Sequence, residues 1–184
     1  MIPRFGDGTL RAWIPRGLVE LGDESVGSPA PITRADGLCA LQVSWRDGRF
    51  VQVQPLVEGA EEPNRMLLPR LLEPHAHLDK AFSWSRYPNL SGTYAGAMAA
   101  NLREHQTRTL EVVQERFERA MQLIWRHGLR AVRTHIDSLG PGAQCSWDAI
   151  LDGASRWQDR VTIQPVALVP VEHWSTSAGE QMAA

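Results

Sequence analysis

Two histidines one residue apart, His75 and His77, stand in the segment LEPHAHLDKAF, just past a glutamate and a proline. Imidazole nitrogens are strong ligands for transition metals. On a β-strand, residues i and i+2 face the same way about 6.6 Å apart, so this pair can aim two nitrogens at one point. The spacing alone is common, and by itself it more often marks an ordinary pair of strand-end histidines. Later segments add context. In RAVRTHID, Val132, Thr134 and Ile136 form one alternating set and Arg133, His135 and Asp137 the other, with the second set turned inward. In VTIQPVALVP, Thr162 and Gln164 are the polar members of an otherwise apolar run. Burying such groups strand after strand without a use for them is costly. The residue types therefore point to a metal centre or polar pocket at the ends of parallel strands. His135 reads more as a hydrogen-bonded pocket wall than as a ligand, and Gln164 as either a satisfied core amide or a pocket residue. His105, His127 and His173 fall on or beside helix surfaces and loops and take no role.

The elements that must position these side chains are legible around them. After Arg65 short apolar runs alternate with helical stretches, the pattern of a parallel α/β sheet or barrel. RMLLPRLLEPHAH supplies a first strand, residues 130–136 a second and 161–170 a third. Over residues 110–127, Leu110, Val113, Phe117, Ala120, Met121 and Ile124 form one stripe at helical spacing, with Thr109 as N-cap and Gly128 as stop. Ser146 is expected to open a further helix carrying Trp147, Ile150, Leu151, Ala154 and Trp157. Upstream, residues 9–15 and 39–55 alternate apolar and polar side chains as half-buried strands, and Asp47-Gly48 marks a tight hairpin. Polar breaks cover residues 22–37 and 58–65. The expected organisation is an antiparallel β portion over 1–68 and an α/β portion over 69–184.

The chain has 184 residues and 20.5 kDa, and its 19 basic and 21 acidic residues give a net charge of −2 without runs of one sign. Nothing in that balance calls for nucleic acid or an anionic membrane surface, and a neutral small molecule fits better. No stretch reaches the apolar length of a signal peptide or a membrane span, so a cytoplasmic protein is expected. Cys39 and Cys145 lack any CxxC spacing and read as reduced thiols.

Taken in order, LLPRLLEPHAHLDKAF, SGTYAGA, GLRAVRTHID and IQPVA resemble the cytosine deaminase group of the amidohydrolase superfamily, over residues from about 66 to 167. The resemblance implies an α/β fold: the start of a TIM-like (β/α) barrel, about three strands and incomplete, preceded by a small antiparallel β-sandwich portion. It implies one divalent metal, iron or zinc, which activates water for attack on a ring carbon bearing an exocyclic amine, releasing ammonia or an amine. It carries the metal-ligand role to His75 and His77 and the reading of the substrate ring edge to Gln164. Arg133, His135, Asp137 and Asp79 are candidates for lining the pocket. Asp79-Lys80 also resembles relatives that hydrolyse amino-substituted triazines, so pyrimidine and triazine-like rings are both admitted. The family takes its other metal ligands and its catalytic glutamate from later strands, without counterparts here. Only 110 residues follow Pro74, under half of the roughly 250 of a complete eightfold barrel. The metal is thus expected to be incompletely liganded, and no catalytic residue is assigned. The expected partners are a small ring-amine substrate and a second copy or complementary fragment, with neither nucleic acid nor membrane. A second reading stays open, in which the chain is an inactive truncated remnant or an assembly partner.

Overall fold

The computed structural model of the chain describes residues 6–20 and 30–183, so the first half of the loop expected over 22–37 lies outside the described residues. The chain separates into two compact units, Met1–Pro69 and Arg70–Ala184.

In the first unit, β1 (Gly8–Pro15), β2 (Leu38–Arg46) and β3 (Arg49–Pro55) form an antiparallel sheet in the order β1-β2-β3. Alternation sends Ala12, Ile14, Cys39, Leu41 and Val43 to one face, where Leu10, Val19 and Leu67 cover them. Trp13, Leu38 and Ala40 go to the other face and pack with Leu56, Ile32 and Ala60. The hairpin turn holds Asp47 at φ 50° and Gly48 at φ 74°, the two left-handed positions that a tight two-residue connection requires. The small antiparallel portion expected here is present as a sheet. Among the described residues of this unit there is one sheet, and residues of the flanking segments pack on its faces.

The second unit runs β4 (Leu71–Ala76), α1 (Tyr94–Gln106), α2 (Leu110–Arg126), β5 (Leu129–Asp137), α3 (Ala143–Trp157), β6 (Thr162–Leu168) and α4 (Ser177–Ala183). Its strands are parallel in the order β4-β5-β6. The apolar stripe of α2 meets α3 and one face of β5: Phe117, Met121, Val132, Ile136, Ile150 and Trp157 are all buried in a single cluster. Removing that much apolar surface from water is the main drive for this layer pairing. Thr109 caps α2, its side chain accepting from the Val112 amide at 3.4 Å. Thr93 does the same for α1 through Gly96 at 3.1 Å. Helix α3 opens at Ala143 rather than at Ser146. The Ser146 hydroxyl lies inside the first turn and donates back to the Gly142 carbonyl at 2.7 Å, so it is not free to cap.

The expected start of a barrel appears as three parallel strands with helices on one face, not as a closed barrel. Closure needs about eight tilted strands. In β5, Val132, Thr134 and Ile136 are buried toward the helices, whereas Arg133 is exposed and His135 and Asp137 are half-buried on the opposite face. That face carries the site. Among the described residues no helix is long and apolar enough to cross a membrane.

Candidate active site

Pro74 has no N–H to give to a ladder, and the pairing of β4 with β5 is irregular between Glu73 and Ala76. The Glu73 carboxylate takes the His75 amide instead, at 2.9 Å. His75 is therefore exposed at a break in the ladder, and His77 stands where the strand passes into a 3-10 turn, Leu78–Lys80. The Leu78 amide donates to the Thr134 hydroxyl at 3.0 Å, which fixes the start of that turn to β5.

Three imidazoles gather here. The His75 and His77 ring centres are 5.2 Å apart with planes at 64°, and His75 stacks on His135 at 4.2 Å and 26°. His77 Nδ1 donates to the His135 backbone carbonyl at 2.9 Å. A carbonyl only accepts, so the His77 proton is held on Nδ1 and the lone pair sits on Nε2. Burial, and after it the Lys80 charge, push the His77 pKa below its ordinary value. His135 departs from its expectation as a hydrogen-bonded wall residue: its buried Nδ1 has no partner, and the ring is held by stacking.

The nitrogens suit zinc or iron in type, and that of His77 in tautomer, but fall short in number. Among the described residues no group of three or more His, Cys, Asp or Glu side chains is disposed to hold a metal ion. The nearby acid of β5, Asp137, is engaged elsewhere: it takes Lys80 Nζ at 2.6 Å and Asn101 Nδ2 at 3.2 Å. Burial would raise the Asp137 pKa, but Lys80, Asn101 and Arg108 outweigh it and hold the carboxylate below its usual range.

Further along the open face, Arg133 and Gln164 are directly opposite in the β5–β6 register, and Arg133 Nε donates to Gln164 Oε1 at 2.7 Å. Gln164 is exposed, so it is a surface amide with a partner rather than a core one.

Asp79, expected in the pocket wall, lies behind it with 0% exposure. The reason is Arg108, also without solvent contact at its side chain, whose Nη1 donates to Asp79 Oδ2 at 2.9 Å and to Ser146 Oγ at 2.8 Å. The same guanidinium reaches Glu104 and, at 3.4 Å, Asp137 Oδ2, while Arg116 makes a second contact to Glu104. Asp79 Oδ2 also accepts the Asp137 amide at 3.2 Å, leaving Oδ1 buried and unpartnered. The sequence reading missed this network, and it missed the burial of His105 against Gly140 and Gly142 as well. The one available signal was the i,i+4 spacing of Glu104 and Arg108. That spacing ordinarily marks a solvated pair.

In front of the network an open pocket of about 500 Å³ is lined by His77, Lys80, Trp84, Tyr94, Asn101 and Leu168. A neighbouring one of about 430 Å³ reaches Asp137 and His105. An imidazole with a free nitrogen beside aromatic walls suits a flat polar ring.

No family model matches the chain. In sequence it is similar to a pterin deaminase of Rhizobium rhizogenes, 28% identical over 145 residues that make up 75% of this chain and 33% of that protein. In structure it is similar to the 5-methylcytosine deaminase of Klebsiella pneumoniae liganded with 5-fluorocytosine, with a TM-score of 0.58, 21% identity, and coverage of 70% of this chain and 33% of that one. N-isopropylammelide isopropylaminohydrolase from Burkholderia multivorans gives a TM-score of 0.50 at 21% identity, covering 86% of this chain and 37% of the other. These structural likenesses are of fold alone. The chain spans about a third of the length of the relatives it matches. Over that third it resembles the deaminases of the amidohydrolase superfamily.

Proposed function

We propose that this chain carries the first strands of a metal-dependent hydrolase barrel that removes an exocyclic amine from a nitrogen heteroaromatic ring. Pterin leads the candidate substrates because the similar protein at 28% identity is named for it, ahead of cytosine and aminotriazines at 21%. In this reading His75 and His77 supply two metal ligands, and Gln164 meets the ring edge. A divalent zinc or iron ion, when bound, supplies Lewis acidity toward water and ring at neutral pH. The chain's own residues hold and orient: the His135 carbonyl keeps the His77 proton on Nδ1, and the Trp84 and Tyr94 walls accept a flat ring beside it. The observation that carries the reading is the His77 to His135 carbonyl bond, which leaves Nε2 of a strand-end histidine free next to a second imidazole. A backbone acceptor behind an imidazole is the usual support of a metal-binding histidine. A cytoplasmic setting belongs to the same reading.

The test is ammonia release from pterin, cytosine, isocytosine and an aminotriazine by a full-length protein carrying this chain, supplied with zinc or ferrous iron. Release from at least one ring is expected, and His77→Ala should lose it together with metal uptake. Bound metal with every ring amine left intact would refute the reading. The incomplete donor set favours a second reading, that these residues act only once further ligands join them. It predicts weak metal uptake by the 184-residue chain and a large gain on adding a complementary fragment.

A further inference from the structure

We propose that the pocket between α1 and the ends of β5 and β6 is a second subsite, which takes an uncharged apolar arm carried by the ring substrate and meets a hydrogen-bonding group on that arm with His105. This rests on the function proposed above. The pocket, of about 430 Å³, is lined along α1 by Tyr94, Met98, Leu102 and His105. Their spacing of three and four residues puts them on one face of the helix. Tyr94, Met98 and Leu102 are 81%, 41% and 59% exposed, a largely apolar surface that a ligand would take out of water. His105 is the opposite: it is 6% exposed, neither ring nitrogen has a partner among the described residues, and Nε2 is wholly buried. Buried imidazoles are ordinarily hydrogen-bonded. The ring fits because Gly140 and Gly142 leave room for it: a Cβ on either would stand 3.1 Å from it. Nδ1 is the nitrogen left to meet a ligand.

The walls select an uncharged arm. Lys80 lines the pocket, but its Nζ lies 2.6 Å from Asp137 Oδ1, and Asn101 Nδ2 donates to Asp137 Oδ2 at 3.2 Å. The cation and the anion of the wall therefore cancel. Arg108, behind them, has no exposed side-chain surface and is spent on Asp79, Glu104 and Asp137. Burial, and after it the Arg108 charge, hold the His105 pKa below its ordinary value, so the ring is neutral at pH 7, with one N–H and one lone pair. A carboxylate arm would give up its hydration without gaining a counter-charge, whereas a hydroxyl gives up less and finds the imidazole. The pocket beside His77 shares Lys80, Tyr94, Met98, Asn101 and Leu168 with this one, so one molecule can span both. Its ring lies beside His77 and its arm passes the Lys80–Asp137 pair. With the amine turned toward His77, the arm leaves the far end of the ring, at carbon 6 or 7 of pterin.

A matched series tests this: pterin and its 6-propyl, 6-(3-hydroxypropyl) and 6-(2-carboxyethyl) derivatives, bound at equilibrium to a full-length protein carrying this chain and followed by the fluorescence of the pterin. The hydroxypropyl arm should tighten binding by about 10-fold over pterin, the propyl arm by less, and the carboxyethyl arm should add nothing. Leu102→Glu sets a charge in the path of the arm and should bring the hydroxypropyl-to-pterin ratio to within about twofold of one. His105→Phe keeps a flat ring between the two glycines and removes its nitrogens, and should erase the advantage of hydroxypropyl over propyl. In protein labelled at histidine, the ring-nitrogen signals of His105 should move on adding the hydroxypropyl compound and stay in place with pterin. A carboxyethyl arm bound as tightly as the hydroxypropyl one, a ratio unchanged by Leu102→Glu, a hydroxyl advantage that survives His105→Phe, or an unmoved His105 signal overturns the proposal. Pterin bound with no gain from any arm overturns the second subsite and leaves the proposed function standing, whereas binding of no ring overturns both.

Discussion

Replacing Arg108 by methionine removes the one cation that reaches Asp79 among the described residues, and the structure says where the cost falls. Glu104 would keep Arg116, and Asp137 would keep Lys80 and Asn101. Asp79, with 0% exposure, would keep only the Asp137 amide at 3.2 Å, and its Oδ1 already has no partner. Leaving a buried carboxylate without its counter-charge costs about 3–5 kcal/mol, and the fully buried setting gives no reason to discount that figure for solvent screening. At about 4 °C per kcal/mol for a unit of this size, the melting temperature should fall by about 12–20 °C. Thermal unfolding followed by the fluorescence of the buried Trp157 reads it. The partner experiment is Arg108→Met with Asp79→Asn: removing the orphaned charge should return roughly half of the loss, since only desolvation of a neutral amide remains. A single-variant loss below about 1 kcal/mol, or no recovery in the double variant, would show that Arg108 does not hold Asp79 as argued.

Acid should weaken the fold in two stages. Burial, and after it the Arg108 charge, lower the His105 pKa, so the fold favours neutral His105; that stability is present above the unfolded pKa of about 6.5 and is lost as pH falls below it. Burial raises the Glu104 pKa, but Arg108 and Arg116 outweigh it, so the contribution of Glu104 is present above about pH 4.3 and disappears as pH falls through its depressed value. Urea midpoints measured from pH 8 to 3 should show both steps, and His105→Asn should flatten the first; a His105→Asn profile unchanged between pH 7 and 5 would remove His105 as its source. Gly153→Ala puts a Cβ into the Phe117 ring, where α3 crosses α2. Overpacking of about 1–3 kcal/mol should exceed the roughly 1 kcal/mol gained in helix propensity, so the melting temperature should drop, and a rise would contradict the tight crossing.

Alternation and stripes were readable because they report which side of an element is apolar. Val132, Thr134 and Ile136 against Arg133, His135 and Asp137 gave the orientation of β5, and Val113, Phe117, Ala120 and Met121 gave the buried face of α2. Helix α1 escaped because YAGAMAANLREHQ has no apolar stripe, and its buried positions include Glu104 and His105. A buried charge is invisible to any pattern built on hydrophobicity. Arg108 and Asp79 are 29 residues apart, and their pairing exists only after α1 and the turn following β4 have packed together. The site followed the same division. The imidazole pair announced itself by spacing, whereas the unpartnered Nδ1 of His135 and the Arg133 to Gln164 bond depend on strand register, fixed only by the β5–β6 pairing.

The turn after His77 is held from behind. Its own strand pairs irregularly across Pro74 and His75, so the ladder cannot fix the imidazole, and the nearest restraints are Thr134 on the Leu78 amide and the Arg108 to Asp79 contact two residues beyond His77. Buried ion pairs of this kind are poor stabilisers against well-packed apolar side chains, but they specify one arrangement sharply. Stability and ligand placement should therefore separate between two variants chosen for similar melting temperatures. Gly153→Ala loosens the α2–α3 crossing and leaves the Asp79 anchor intact. Arg108→Met combined with Asp79→Asn recovers part of the stability but not the anchor. Zinc affinity measured well below both transitions should stay near that of the parent in the first and fall by about tenfold or more in the second, as is usual on losing support behind a metal-binding histidine. Equal affinities in the two would mean that the bond from His77 to the His135 carbonyl positions the ring unaided.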